Sequence, residues 1–471
     1  MTVLIDALNG VLWNYILIYG LLAVGILFTF RLGFLQLRHF PEFFRVVSKS
    51  ETTDKHGISP FQALTISLAS RVGTGNIAGV AVALSLGGPG AIFWMWVVAF
   101  LGMATAYAES TLAQLYKVEN AEGQYRGGPA FYIARGLRAP WAGSLFSIFL
   151  ILSFGLVFNA VQANSIADAM EGAFGFDKLS VGIAVAILAG IIIFGGIRQI
   201  ARVAEVIVPL MAGLYLLLAI VVVIMNLSEI PGVLALIFSH AFGLQEAAGG
   251  VTGGVLAAML NGVKRGLFSN EAGMGSAPNI AAVATPQPHH PSSQGFVQAL
   301  GVFIDTIVIC TCTAIMILLS DVYQFGGAIE GATLTQNALS EQFGAFGLYF
   351  IAVAIFFFAF TSIIGNFAYA ENAMAFLSAD GKVPMTLLRL AAMAMVVWGA
   401  YESVATVFNA ADASMGLMAT INLIAIVLLS GTVVKLTRDY FRQRAAGKSP
   451  VFVADDYPEL QGRIDSDIWS K

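Results

Sequence analysis

Eleven apolar stretches joined by short polar links dominate this sequence, and they restrict it to folds built inside a bilayer. They run Val11–Phe30, Phe61–Leu86, Ala91–Tyr116, Gly143–Met170, Val181–Ile197, Ala204–Asn226, Val251–Gly266, Val297–Leu319, Gly347–Phe376, Met385–Tyr401 and Met415–Leu436. At about 1.5 Å per helical residue, each crosses or nearly crosses a hydrocarbon layer roughly 30 Å thick. The chain is 58% hydrophobic and only 11% charged, against roughly 25% charged in an ordinary soluble domain. With no water to satisfy backbone groups in lipid, such stretches must be helices. The expected fold is therefore an all-α integral membrane protein of about eleven transmembrane helices, surrounded by membrane lipid.

Lysine and arginine fix the expected orientation, because cytoplasmic loops carry the excess. If the N-terminus lies outside, 22 of the 24 basic residues fall in segments on the inner side; Lys178 lies outside and Arg71 within a span. The expectation is a multi-pass protein of the cell (inner) membrane with its N-terminus outside and its C-terminus cytoplasmic. No Lys or Arg precedes Val11 and no small-residue cleavage site is evident, so the first stretch reads as a retained helix and not a signal peptide. Residues 1–437 form one membrane domain, and the charged tail 438–471 reads as cytoplasmic and partly disordered. A net charge of −4, with basic residues only beside apolar spans, argues against a nucleic-acid partner. Cys310 and Cys312 cannot build a disulfide framework and read as small core residues.

Polar residues inside apolar spans are the candidates for function. The stretch "SLASRVGTGNIAG" places Ser67, Ser70, Arg71, Thr74 and Asn76 beside Gly73, Gly75 and Gly79. Each glycine weakens a helix by about 1 kcal/mol relative to alanine, and bare carbonyls at membrane depth are tolerated only where they line a cavity. A broken helix lining a site satisfies both constraints; a close helix contact through Gly75-x-x-x-Gly79 is the simpler alternative. Thr361 and Ser362 offer adjacent hydroxyls that could ligate a small alkali cation or bond back to the preceding turn. Gln162 and Asn164 could each bind a substrate or bridge helices. Glu109, Asp168, Glu205, Asp305, Glu371 and Asp412 recur at or near spans, several of them placed to cap or pair at helix ends, with Asp305 the most central.

All five histidines lie in loops or at span edges, so no H-E-x-x-H zinc pair exists, and no G-x-S-x-G elbow or Walker A sequence is present. An intramembrane hydrolase or an ATP-driven pump is disfavoured. Setting the helix at 11–30 aside, the remaining spans divide into two groups of five, residues 60–226 and 248–436, each opening on a glycine-rich span: Val72 onward, and "GGVTGGVLAAMLNG" (Gly249–Gly262). An odd number of spans per group makes the two groups inverted, as in transporters with broken first helices.

The blocks "SRVGTGNIAGVAVALSLGGPGAIFWMWVVAFLGMATAYAESTLAQLYK" (Ser70–Lys117), "KRGLFSNEAGMGSAPNIAA" (Lys264–Ala282), "DTIVICTCTA" (Asp305–Ala314) and "ADASMGLMATINLIAIVLLS" (Ala411–Ser430) resemble the alanine/glycine:cation symporters, the sodium:alanine symporter family. The resemblance implies sodium-coupled uptake of small neutral amino acids by alternating access, on an inverted 5+5 fold similar to that of the bacterial leucine transporter, with one extra N-terminal helix. It implies that Thr74, Gly75 and Asn76 bind the amino acid with Gln162 across the cavity, and that Na+ is coordinated by Ala69 and Val72 carbonyls and Thr361 and Ser362 hydroxyls. One departure bears on substrate: family members commonly read glycine-tryptophan where Gly365 is followed here by Asn366. Loss of that bulky wall at Asn366 is expected to shift preference toward a larger or more polar neutral amino acid. Proton coupling through Asp305 or Glu109, and a passive channel, are the alternatives.

Overall fold

The computed structural model describes residues 2–48, 57–121, 123–243, 251–325 and 331–469. Among them eight helices are long and apolar enough to cross a membrane: Ile5–Arg31, Gly90–Leu115, Pro140–Phe174, Arg198–Met225, Ser292–Leu318, Ala345–Phe376, Lys382–Tyr401 and Val404–Leu428. Shorter apolar helices, among them Lys178–Ile193, accompany them. The outer faces expose large apolar side chains such as Ile187, Val206, Ile224 and Leu387. So many exposed large apolar side chains suit lipid and not water.

Two helices are interrupted. The first starts at a capping box in which Ser59 Oγ accepts from Gln62 N and Gln62 Oε1 accepts from Ser59 N, each at 3.1 Å, with Pro60 at the first turn. It ends at Arg71 and resumes as Gly75–Gly87. The second runs Val251–Asn270 and resumes as Pro278–Val283. Between them Gly273 and Gly275 take φ of +89° and +84°, which only glycine adopts without strain. The far ends of both interrupted helices are tied together: Thr285 N donates to Ile58 O at 2.9 Å.

The second interruption does not fall in the glycine-rich window Gly249–Gly262. Gly249 and Gly250 lie outside the described residues, and from Val251 onward the window is continuous helix. Gly262 in the window, and Gly266 just after it, serve packing against Gly90–Leu115. A Cβ at Gly262 would strike Ala91 and Trp94, and one at Gly266 would lie 2.5 Å from Val98 Cγ1. Close backbone approach of two helices in lipid requires small residues at this spacing.

The expected last span, Met415–Leu436, also needs correction. Its helix is Val404–Leu428, and a separate helix, Ser430–Ala445, follows the bend at Leu429. Val433, Leu436 and Tyr440 of that helix turn toward the protein. Their hydropathy therefore reflects core packing and not lipid.

Nor is the tail disordered over its described length. Phe452 N donates to His289 O at 2.8 Å, Ala454 N to Trp469 O at 3.1 Å, and Trp469 Nε1 to Leu115 O at 3.3 Å. Burial holds the nearby His290 imidazole below its usual pKa, and Nδ1 accepts from Ser292 N at 3.1 Å. The tail thus fastens the end of Gly90–Leu115 to the loop before Ser292. Because Trp469 is fully buried, Trp469→Ala is expected to cost about 3–5 kcal/mol, read as a lower melting temperature in detergent. Trp141→Ala, at a side chain 73% exposed, should leave that temperature unchanged.

Candidate functional site

The two interrupted helices meet at a buried place beside the first interruption. A Cβ on Gly75 would lie 3.1 Å from both Phe268 Cδ1 and Ser269 Cα, so the missing side chain lets the two backbones meet. Around that contact the freed backbone groups find side-chain partners, as buried peptide groups must. Thr74 N donates to Gln162 Oε1 at 2.9 Å, and Gly73 N donates to Asn76 Oδ1 at 2.9 Å. Asn76 Nδ2 in turn donates to Asp305 Oδ1 at 2.7 Å. The second carboxylate oxygen of Asp305 accepts from Ser269 Oγ at 2.8 Å and Thr306 Oγ1 at 2.6 Å. The hydroxyl of Thr74 is buried with no partner among the described residues. The structure thus gathers Thr74, Gly75, Asn76 and Gln162 at one place.

On the other side of the first interruption lies the long helix Ala345–Phe376. Gly365 lets it close on the end of Pro60–Arg71, since a Cβ there would lie 2.9 Å from Ser70 N. That approach brings the Ser362 Oγ–H to Ala69 O at 2.9 Å, shared with Phe358 O at 3.0 Å. Any side chain on Gly73 would clash with Ser362 Oγ. Val72 caps the helix, its N donating to Leu68 O at 2.7 Å, and at ψ 83° its own carbonyl turns out of helical register. Thr361 lies beside this group, but its hydroxyl donates back to Phe358 O at 3.0 Å. Ala69 and Ser362 are therefore in contact, whereas the Thr361 hydroxyl faces Phe358 O and, at 3.9 Å, Met211 Sδ.

Asn366 is engaged at both ends. Its Nδ2 donates to Asn159 Oδ1 at 3.1 Å, and its Oδ1 shares the Ser70 hydroxyl proton, at 2.6 Å, with Glu271 Oε1 at 2.8 Å. Glu271 Oε2 also accepts from Ser276 Oγ at 2.5 Å. Neither Glu271 nor Ser269 stood out in the sequence, because both lie beyond the apolar stretch ending at Gly266. The signal that could have found them is the polar, glycine-bearing run "SNEAGMGS" at its end.

Arg71, buried at the end of Pro60–Arg71, donates from Nη1 to Gln298 O at 3.1 Å. Glu109, Glu271 and Asp305 are buried as well and lie within range of its charge, with no ion pair to it among the described residues. Glu109 accepts from Gly273 N at 3.1 Å and Asn422 Nδ2 at 2.7 Å, so it stabilises the second interruption directly. The other acids have partners of their own. Asp168 meets Lys178 at 2.5 Å, Glu371 meets Arg126 at 3.5 Å, Asp412 meets Arg265 at 2.5 Å, and Glu205 accepts from Gln62 at 3.1 Å. Asn164 bridges helices by donating to Gly399 O at 3.0 Å and Glu402 O at 2.6 Å.

A multi-pass helical membrane protein whose two interrupted helices meet at a buried polar centre is the class that this architecture defines. The chain belongs to the sodium:alanine symporter family, whose model matches residues 1–454. It is 50% identical to the amino-acid carrier protein AlsT of Bacillus subtilis, over 97% of this chain and 96% of that protein. It is also 50% identical to the probable sodium/glutamine symporter GlnT of the same organism, over 95% and 92%. The sodium/alanine symporter AgcS of Methanococcus maripaludis is 40% identical, over 93% and 96%. The protein is thus a membrane transporter and not an enzyme.

Proposed function

We propose that this chain carries a neutral amino acid into the cell together with sodium, by alternating access. The observation that supports it best is the contact of the Ser362 hydroxyl with Ala69 O at the first interruption, where helix-end carbonyls have lost their helical partners. Sodium would be held there by the Ala69 and Val72 carbonyls and the Thr361 and Ser362 hydroxyls. Thr74, Gly75, Asn76 and Gln162 would hold the amino acid, its carboxylate facing amide hydrogens at the start of Gly75–Gly87. Asn366 would form the opposite wall, held in place by Asn159 and Ser70.

In this reading the two interrupted helices each count as one crossing, and with Lys178–Ile193 they bring the spans to eleven. The helix Ile5–Arg31 precedes an inverted pair of five-helix repeats. The N-terminus is outside and the tail cytoplasmic. One sodium entering with a zwitterion moves one charge, worth about 2.3 kcal/mol per 100 mV, enough to concentrate substrate more than tenfold.

The substrate is neutral and more polar than alanine. The name of GlnT supports glutamine at 50% identity, while AgcS, named for alanine, stands at 40%. Proteoliposomes given labelled glutamine, alanine and glycine are expected to accumulate glutamine best and to lose uptake when sodium is replaced by potassium. Uptake that survives in potassium and follows a pH gradient would instead assign coupling to the buried Asp305 or Glu109. Equilibration without accumulation would identify a passive facilitator.

A further inference from the structure

A basic cleft opens where the helix Ile5–Arg31 ends and Ser430–Ala445 begins. Its volume is about 660 Å³, and Arg31, Lys435, Arg438 and Arg442 line it, with Tyr457 of the folded-back tail as a wall. The cations are not equally neutralised. Lys435 pairs with Glu459, and Arg442 with Asp439. Arg31 reaches only the neutral hydroxyl of Ser430, at 2.5 Å, and Arg438 has no ion pair or side-chain hydrogen bond among the described residues. Two guanidinium groups are left for a ligand, against the acids Asp439, already paired, and Asp456.

Depth decides which ligand. Arg31 is the last residue of a membrane-crossing helix, and Ser430 follows within two residues of the end of another, Val404–Leu428. The cleft therefore lies at the level of the lipid headgroups, and its floor rests on helices whose outer faces meet acyl chains. A planar, always charged guanidinium matches phosphate oxygens in a bidentate fork, and basic pockets at this depth suit anionic headgroups. We propose that this cleft binds the phosphodiester headgroup of an anionic bilayer lipid through Arg31 and Arg438. Because Tyr457 belongs to the tail, the bound lipid also packs the tail against the membrane domain.

The test is native mass spectrometry of the full-length chain in detergent, titrated with dioleoyl phosphatidylglycerol or dioleoyl phosphatidylcholine. The unsubstituted chain is expected to retain phosphatidylglycerol over phosphatidylcholine, and Arg31→Gln with Arg438→Gln to reduce that retention at least about tenfold, as two lost cations at a membrane surface predict. Arg31→Lys with Arg438→Lys should keep part of the retention, showing that the fold survives substitution there, and Lys448→Gln should keep all of it. Equal retention of the two lipids, or an unchanged preference in the glutamine double variant, overturns the proposal. Displacement of the lipid by millimolar inorganic phosphate overturns the lipid assignment in favour of a free phosphate. The readout is independent of transport, so it stands or falls apart from the reading of substrate and coupling ion.

Discussion

Ser362→Ala is expected to raise the sodium concentration needed for half-maximal uptake by about 5- to 150-fold, the range set by deleting one buried polar partner worth about 1–3 kcal/mol. In the structure the single Ser362 proton is shared between Ala69 O and Phe358 O. A cation entering between the Ser362 oxygen and the Ala69 carbonyl would take over that bridging role, with the hydroxyl turning a lone pair to it. Alanine removes the oxygen while preserving the close helix approach that Gly365 allows. Sodium titration of uptake separates this from a structural effect. A merely structural serine would lower the amount of active protein and leave the sodium dependence where it was. Ser362→Thr should restore most of the affinity because it keeps the oxygen. Gly73→Ala offers an independent check, since its Cβ would clash with Ser362 Oγ and come within 2.8 Å of Gln162 Oε1. That variant is expected to damage sodium and amino-acid dependence together, whereas Ser362→Ala acts on sodium first.

The first interruption was legible because glycines and polar residues stand inside an apolar run, where nothing but a break or a very close contact tolerates them. Gly75 in fact answers to both readings, being at the break and against Ser269. The second interruption was misplaced because Gly262 and Gly266 obey the same compositional rule for a different reason, helix packing. Its actual residues, Glu271 to Ala277, lie just past the apolar stretch and look like an ordinary connecting loop. The tail was misread because its charge density masks three aromatic anchors, Phe452, Tyr457 and Trp469, which pack with one another and on the loop before Ser292. Least legible were the long-range links. Ser70 to Glu271 and Ser70 to Asn366 join residues 201 and 296 positions apart, and no local pattern encodes such a pairing.

Arg71→Met is expected to have the largest effect on the fold. Arg71 is 2% exposed, and Glu109, Glu271 and Asp305 are each at most 1% exposed. Arg71 acts on these acids through space, with no ion pair to them among the described residues, and its loss also strips Gln298 O of a charged donor, at a cost of about 1–3 kcal/mol for that group alone. A loss of that order is a large fraction of the stability of many domains. The expected result is a collapse in the yield of monodisperse protein from detergent. The partner hydrogen bonds predict how far rescue can go. Glu271→Gln deletes one negative charge and keeps one acceptor oxygen, enough for the hydroxyl of Ser70 or of Ser276 but not for both. The double variant Arg71→Met with Glu271→Gln should therefore recover monodisperse protein in part. It should not recover transport, because Asp305, which orients Asn76 at the break, and Glu109, which holds Gly273, both remain without the cation. Full yield from Arg71→Met alone would show that the three acids are stable without it. Rescue of uptake along with yield would show that Arg71 acts through Glu271 only.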